Sequence, residues 1–191
     1  MSTPPLAIWL AETSPAPFTD PADCKRRAAR FETTIRRRNW LEYTAGALVL
    51  VCFAGMSLSA FLKDQPLIGA AGALIMLGVA VVLVQLHRRA SLLPPRPETP
   101  CLEHIAAQYR RQYEALRAVP VWYLAPLIPG LAAFYASVGY ETAQAIGWSA
   151  ALEGMVRPGL VTIGVFVAIA IANLLAAHSL KRKVDAINAL A

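Results

Sequence analysis

Residues 67–84 read LIGAAGALIMLGVAVVLV, and this stretch decides the fold. It contains no charge and no strongly polar side chain on any helical face. An amphipathic helix of a water-soluble bundle shows a polar stripe, because its outer face meets solvent. Extended to 67–86 the stretch is 20 residues long, and a rise of about 1.5 Å per residue makes it about 30 Å, the hydrocarbon thickness of a bilayer. Three more stretches, 44–62, 121–140 and 160–178, are equally free of Asp, Glu, Lys and Arg and 19 or 20 residues long. The sequence therefore predicts an all-α integral membrane protein with four transmembrane helices. Composition agrees: 57% hydrophobic and 16% charged residues, against about 45–50% and about 25% in soluble domains. Disorder, a coiled coil and a disulfide scaffold are excluded on the same grounds, the three cysteines being too few and odd in number. The apolar run at 5–11 is too short for a signal peptide and no Lys or Arg precedes it, so the internal segments are expected to drive insertion.

Lysine and arginine set the orientation. Seven lie in 1–43, one in 63–66, six in 87–120, one in 141–159 and three in 179–191. Four spans place the first, third and fifth segments on one side, which then carries 16 of the 18. The positive-inside rule assigns that side to the cytoplasm of an inner-membrane protein, with both termini inside. Trp40, Tyr43, Trp122 and Tyr123 fall at inner ends of spans, and Phe61, Tyr140 and Trp148 at or beyond outer ends, as interface aromatics do. The 63–66 connection is a tight hairpin, and 141–159 is read as a longer periplasmic loop.

The cytoplasmic segments divide further. Residues 1–19 read as a disordered tail around an isolated Ala7-Ile8-Trp9-Leu10 patch. Residues 20–43 read as a basic helix capped by Asp20, with Pro21 at its first position, continuing into the first span. Residues 87–100 form a proline-rich linker. Residues 101–119 form an amphipathic helix with Leu102, Ile105, Tyr109, Leu116 and Val119 at helical spacing, and 179–191 repeats the theme. Arg36, Arg37 and Arg38, with Trp40 and Trp122, are expected at the membrane surface against anionic headgroups, each charge contributing about 1 kcal/mol. Phe31, Ile35, Tyr109 and Leu116 form the apolar seams expected to dock a cytoplasmic protein partner; packing of these helices on one another is the structural reading of the same residues.

Within the membrane, the fourth span carries Gly164, Ala168, Ala172 and Ala176 at i, i+4 spacing, with Asn173 beside the stripe. Small residues let helix backbones approach in lipid, so this stripe is expected to pack helices, within the bundle or in a homodimer. Gly55 with Ser59 and Gly69 with Ala73 offer shorter versions. Pro126 and Pro129-Gly130 predict a kinked or unwound third span.

Chemistry is sparse. No phosphate-binding glycine loop, metalloprotease motif or nucleophile elbow occurs. Cys101-Leu-Glu-His104 together with Cys24 and His87 offers two sulfurs and two imidazoles, the donors of a tetrahedral zinc site. The ligands are scattered, however, and neither a metal nor another cofactor is expected. The basic charge is accounted for by topology, so no nucleic-acid partner is implied.

Several stretches carry a likeness. Arg30-Phe31-Glu32, Ile35 to Tyr43, Gln85 to Arg89, Cys101 to His104 and Trp122 to Gly130 resemble a largely uncharacterised group of small proteobacterial inner-membrane proteins. The matching stretches cover roughly residues 25–135. Members often occur beside genes for extracytoplasmic-function sigma factors, so the resemblance implies a membrane-embedded regulator with a cytoplasmic partner. It lends no catalytic residues, and the zinc-binding His–Cys pattern of the zinc class of anti-sigma factors is absent. The expectation is a non-enzymatic regulatory or scaffolding protein. The alternative is a complex subunit or small transporter working through the kinked third span.

Overall fold

The computed structural model describes residues 21–93 and 101–189. The 1–19 tail, Asp20, most of the proline-rich linker and the side chains of Cys24 and Leu102 lie outside the described residues. Among the described residues five α-helices follow in order: α1 (Pro21–Leu62), α2 (Pro66–Ala90), α3 (Cys101–Arg117), α4 (Ile128–Ile146) and α5 (Trp148–Asn188). Between α3 and α4 the chain makes a π-helical turn at Pro120–Leu124 and a 3-10 turn at Ala125–Leu127. No strand occurs among the described residues. Four helical segments are long and apolar enough to cross a membrane: Ala28–Leu62, Pro66–Ala90, Pro120–Ile146 and Trp148–Asn188. The protein is an all-α, multi-pass membrane protein.

Two helices are far longer than a span. With 42 and 41 residues, α1 and α5 extend about 60 Å, twice the hydrocarbon thickness. The basic segments are therefore rigid continuations of the first and fourth spans. The 141–159 stretch, expected as a loop, is helical except at Gly147. Its alanine-rich sequence favours helix, and Gly147 alone breaks it by taking φ 87, a left-handed conformation open to glycine. The 63–66 connection is the expected tight turn; Gln65 N–H donates to the Ala60 carbonyl at 2.9 Å and Asp64 takes φ 56.

The most enclosed span is α2, with 39% of its apolar window buried against 6–17% for the others. It packs against α1 on one flank and the third span on another, while α5 packs on α4. Leu48, Leu77, Leu160 and Ile163 remain exposed on the outer surfaces, as helices in lipid require.

Of the small residues anticipated, Gly69 sits at a close approach, where a Cβ would fall 2.8 Å from the Phe61 ring, whereas the fourth-span stripe faces outward. Gly164, Ala168, Ala172 and Ala176 are all exposed, and a Cβ at Gly164 would meet nothing within 4 Å. Asn173 donates to the Ile169 carbonyl of its own helix at 2.8 Å, not to a neighbour. Gly55 is likewise open. The close approaches to backbone atoms lie at α2: a Cβ on Gly130 would fall 2.8 Å from the Ile75 backbone nitrogen, and one on Gly78 would fall 2.5 Å from the Pro126 carbonyl oxygen. The unwound third span is thus seated directly on the α2 backbone.

At the basic end α3 lies against the C-terminal part of α5 and touches α1 and α2. Leu116 of α3 and Ala177 and Leu180 of α5 form a buried cluster, with Phe31, Tyr109 and Tyr113 packed on it. The Phe31 and Tyr109 rings meet edge to face at 4.5 Å, and the Lys183 ammonium lies 5.8 Å from the other ring of that pair, Tyr109. The seam residues thus cover one another. Ile35 and Leu116 are each 5% exposed, while Phe31 and Tyr109 are half-buried. Self-packing removes more apolar surface from water than leaving the seams open, so it wins.

Polar side chains lock this end to the spans. Asn39 Nδ2 of α1 and Gln112 Nε2 of α3 both donate to the Ala90 carbonyl at the end of α2, at 2.9 and 3.1 Å. Gln108 bonds both the N–H and the carbonyl of Leu93. Gln112, which interrupts the apolar line of its helix, is buried because it satisfies an orphan carbonyl at a helix C-terminus.

Candidate functional site

An apolar cavity lies inside the membrane region between α1, α2 and the third span. Its walls come from Val49 and Phe53 of α1, Val79 and Leu83 of α2, and Leu127 and Leu131 beyond the π turn. Its volume is about 220 Å³, just under the roughly 300–1,000 Å³ of small-molecule pockets. A slender occupant suits it better than a multi-ring one. The irregular stretch from Pro120 to Leu127 creates the space, because it holds the third span against α2 while leaving α1 apart. The Phe53–Phe134 pair, 6.0 Å between centroids, bridges α1 and α4 at the deep end.

Glu42 and Tyr123 line the other end. Glu42 lies eleven residues before Phe53, a helical rise of about 16 Å, or one leaflet of hydrocarbon. Arg38 Nε donates to Glu42 Oε1 at 2.8 Å. Glu42 Oε2 is buried without a hydrogen-bond partner. A buried acceptor left unpaired costs about 1–3 kcal/mol, more when charged. Behind the mouth, Tyr43 Oη lies 3.5 Å from His87 Nδ1. The arrangement is an apolar slot with one carboxylate oxygen held at its rim, suited to an amphiphile whose head donates a hydrogen bond.

The residues singled out from sequence fall in several places. Arg36, Arg37 and Trp40 are exposed on α1, while Arg38 is half-buried in the Glu42 ion pair. Trp122 is not a surface anchor: it is 3% exposed in a cluster with Leu86, Ala90, Val119 and Leu124, and its indole N–H donates to the Ala115 carbonyl at 2.8 Å. His104 Nε2 faces Glu32 at 3.6 Å, His87 faces Tyr43, Cys101 is disulfide-bonded, and the Cys24 side chain is outside the described residues. No group of three or more His, Cys, Asp or Glu side chains suited to a metal occurs among the described residues.

Glu42 was not marked by the sequence reading, because it sits at the seam between the basic helix and the first charge-free stretch. The i, i+4 spacing of Arg38 and Glu42 is the signal that marks it. Fold and site together define a four-span α-helical membrane protein with a lipid-level cleft ending at a carboxylate. No known protein family, curated protein or solved structure matches the chain.

Proposed function

We propose that this is a non-enzymatic regulatory protein of the bacterial inner membrane that holds a lipid-like amphiphile in its cleft and relays occupancy to its cytoplasmic helices. The observation that carries this reading is the unpartnered Glu42 Oε2 at the rim of an apolar slot one leaflet deep. The expected ligand has one extended apolar chain and a hydroxyl or amine head. The relay is short, because Glu42, Arg38, Asn39, Ile35 and Phe31 lie on one continuous helix, and Asn39 shares the Ala90 carbonyl with Gln112 of α3. Displacing α1 strains both the Phe31–Tyr109 contact and the Ala90 junction, so occupancy biases how tightly the seams stay closed. A cytoplasmic partner, of the sigma-factor kind that the family resemblance implies, binds when they open.

The cleft is tested with a pyrene-tagged long-chain alcohol added to the full chain in lipid nanodiscs, reading energy transfer from tryptophan. Saturable transfer is expected in the unmodified protein, and at least about tenfold weaker binding in Glu42→Leu, since the lost hydrogen bond is to a charged group. Linear partitioning identical in both proteins overturns the reading.

Cytoplasmic placement of the basic end rests on the 16-to-2 division of Lys and Arg. A green fluorescent protein fused after Ala191 is expected to fluoresce, and alkaline phosphatase at the same place to be inactive. The reverse pair of results inverts the topology.

A further inference from the structure

At the basic end, separate from the cleft, three arginines from two elements converge on one recess. Arg88 and Arg89 come from the last turn of α2, and Arg111 comes from α3; with Glu114 and Ala115 they line a space of about 300 Å³. Cations in the last turn of a helix are ordinarily explained by the helix dipole. That explains Arg88 and Arg89 but not the third guanidinium brought in from another helix.

The way these side chains are held matters more than their number. Arg111 Nη2 donates to the Arg88 carbonyl at 3.0 Å and to Ser91 Oγ at 2.9 Å, leaving its Nε and Nη1 without partners among the described residues. Arg89 Nε donates to Gln85 Oε1 at 3.0 Å. Two of the three guanidiniums are thus fixed by uncharged acceptors, which orient them without neutralising them. Glu114 lines the recess but forms no ion pair with any of the three among the described residues. The result is a preorganised positive recess with unused N–H donors at the level where α2 leaves the membrane.

We infer that Arg88, Arg89 and Arg111 form a binding site for a phosphoryl group. Planar guanidinium forks match the geometry of phosphate oxygens and bind them bidentately, as a lysine point charge does not. The phosphoryl group has two sources, the headgroup of an anionic phospholipid or a free phosphate in solution. Basic recesses beside transmembrane helices take headgroups in this way. The site stands whichever side of the membrane the basic end faces and whether or not the cleft holds an amphiphile.

The test uses the full chain purified in neutral detergent. One arm counts retained phosphatidylglycerol against phosphatidylcholine by native mass spectrometry. The other titrates inorganic pyrophosphate by calorimetry. Selective retention of phosphatidylglycerol supports the site with a lipid headgroup as ligand, and saturable pyrophosphate binding supports it with a soluble ligand. In either arm the Arg88→Gln/Arg89→Gln/Arg111→Gln variant is expected to bind at least about tenfold more weakly. Arg111→Lys keeps the charge and is expected to lose several-fold, which separates guanidinium geometry from net charge. A Lys25→Gln/Arg30→Gln/Arg182→Gln control removes the same charge from exposed positions. Equal loss in this control, or binding in neither arm by the unmodified protein, overturns the inference. Unchanged thermal unfolding of each variant shows that the comparison is between folded proteins.

Discussion

Replacing Gly130 with leucine is expected to abolish the seat of the third span on α2. A Cβ at this position would stand 2.8 Å from both the Cα and the nitrogen of Ile75. Those are backbone atoms, and no rotamer change relieves the clash. Overpacking a core that can shift its side chains costs about 1–3 kcal/mol; here the helices themselves must separate, so the loss is expected at or above about 3 kcal/mol. Gly78→Val acts on the same contact from the other side, where the obstacle is the Pro126 carbonyl oxygen. Unfolding by sodium dodecyl sulfate titration in mixed micelles measures both. Gly164→Leu is the matched comparison, because that position is open, and its stability is expected to stay within about 0.5 kcal/mol. Comparable losses at Gly164 and Gly130 would contradict the helix arrangement.

Trp122→Ala is expected to cost about 3–5 kcal/mol, the range for emptying a buried aromatic site. The indole fills the space where α2 ends and the π turn begins, and it supplies a hydrogen bond to the last turn of α3. Trp122→Phe retains most of the volume and removes only the donor, so a loss of about 1–2 kcal/mol is expected. Trp40→Ala, by contrast, truncates a side chain that is 65% exposed, and little change is expected in the same assay. Equal effects at Trp40 and Trp122 would restore the surface-anchor reading of both.

The spans were legible because each charge-free stretch is about as long as a bilayer is thick, a constraint that acts on every residue at once. The kink was legible because Pro126 and Pro129 each remove a backbone donor. Which small residues pack was not. Gly164 to Ala176 and the pair Gly78 and Gly130 look alike in sequence, and only the direction each glycine faces separates them. For Gly130 that direction depends on the π turn at Pro120–Leu124, which shifts the register of the helix that follows. The helices at the basic end were legible as amphipathic, but an apolar seam does not say what covers it. Phe31, Tyr109 and Leu116 pack together with Ala177 and Leu180 once α1 and α5 project beyond the membrane. Trp122 was misplaced because its position at the end of a span is equally that of an interface aromatic and of a plug between helices.

The proposed occupant of the cleft between α1, α2 and the third span is a single amphiphile held against Glu42. The most direct measurement is photo-crosslinking of a diazirine-bearing long-chain alcohol to the full chain in native-like membranes, followed by peptide mapping of the attachment sites. The account predicts attachment concentrated at Val49, Phe53, Leu83, Leu127 and Leu131, competed by untagged alcohol and lost when Leu83→Trp fills the slot. Attachment spread evenly over outward-facing positions such as Leu48, Leu160 and Ile163, and unaffected by competitor, would contradict it.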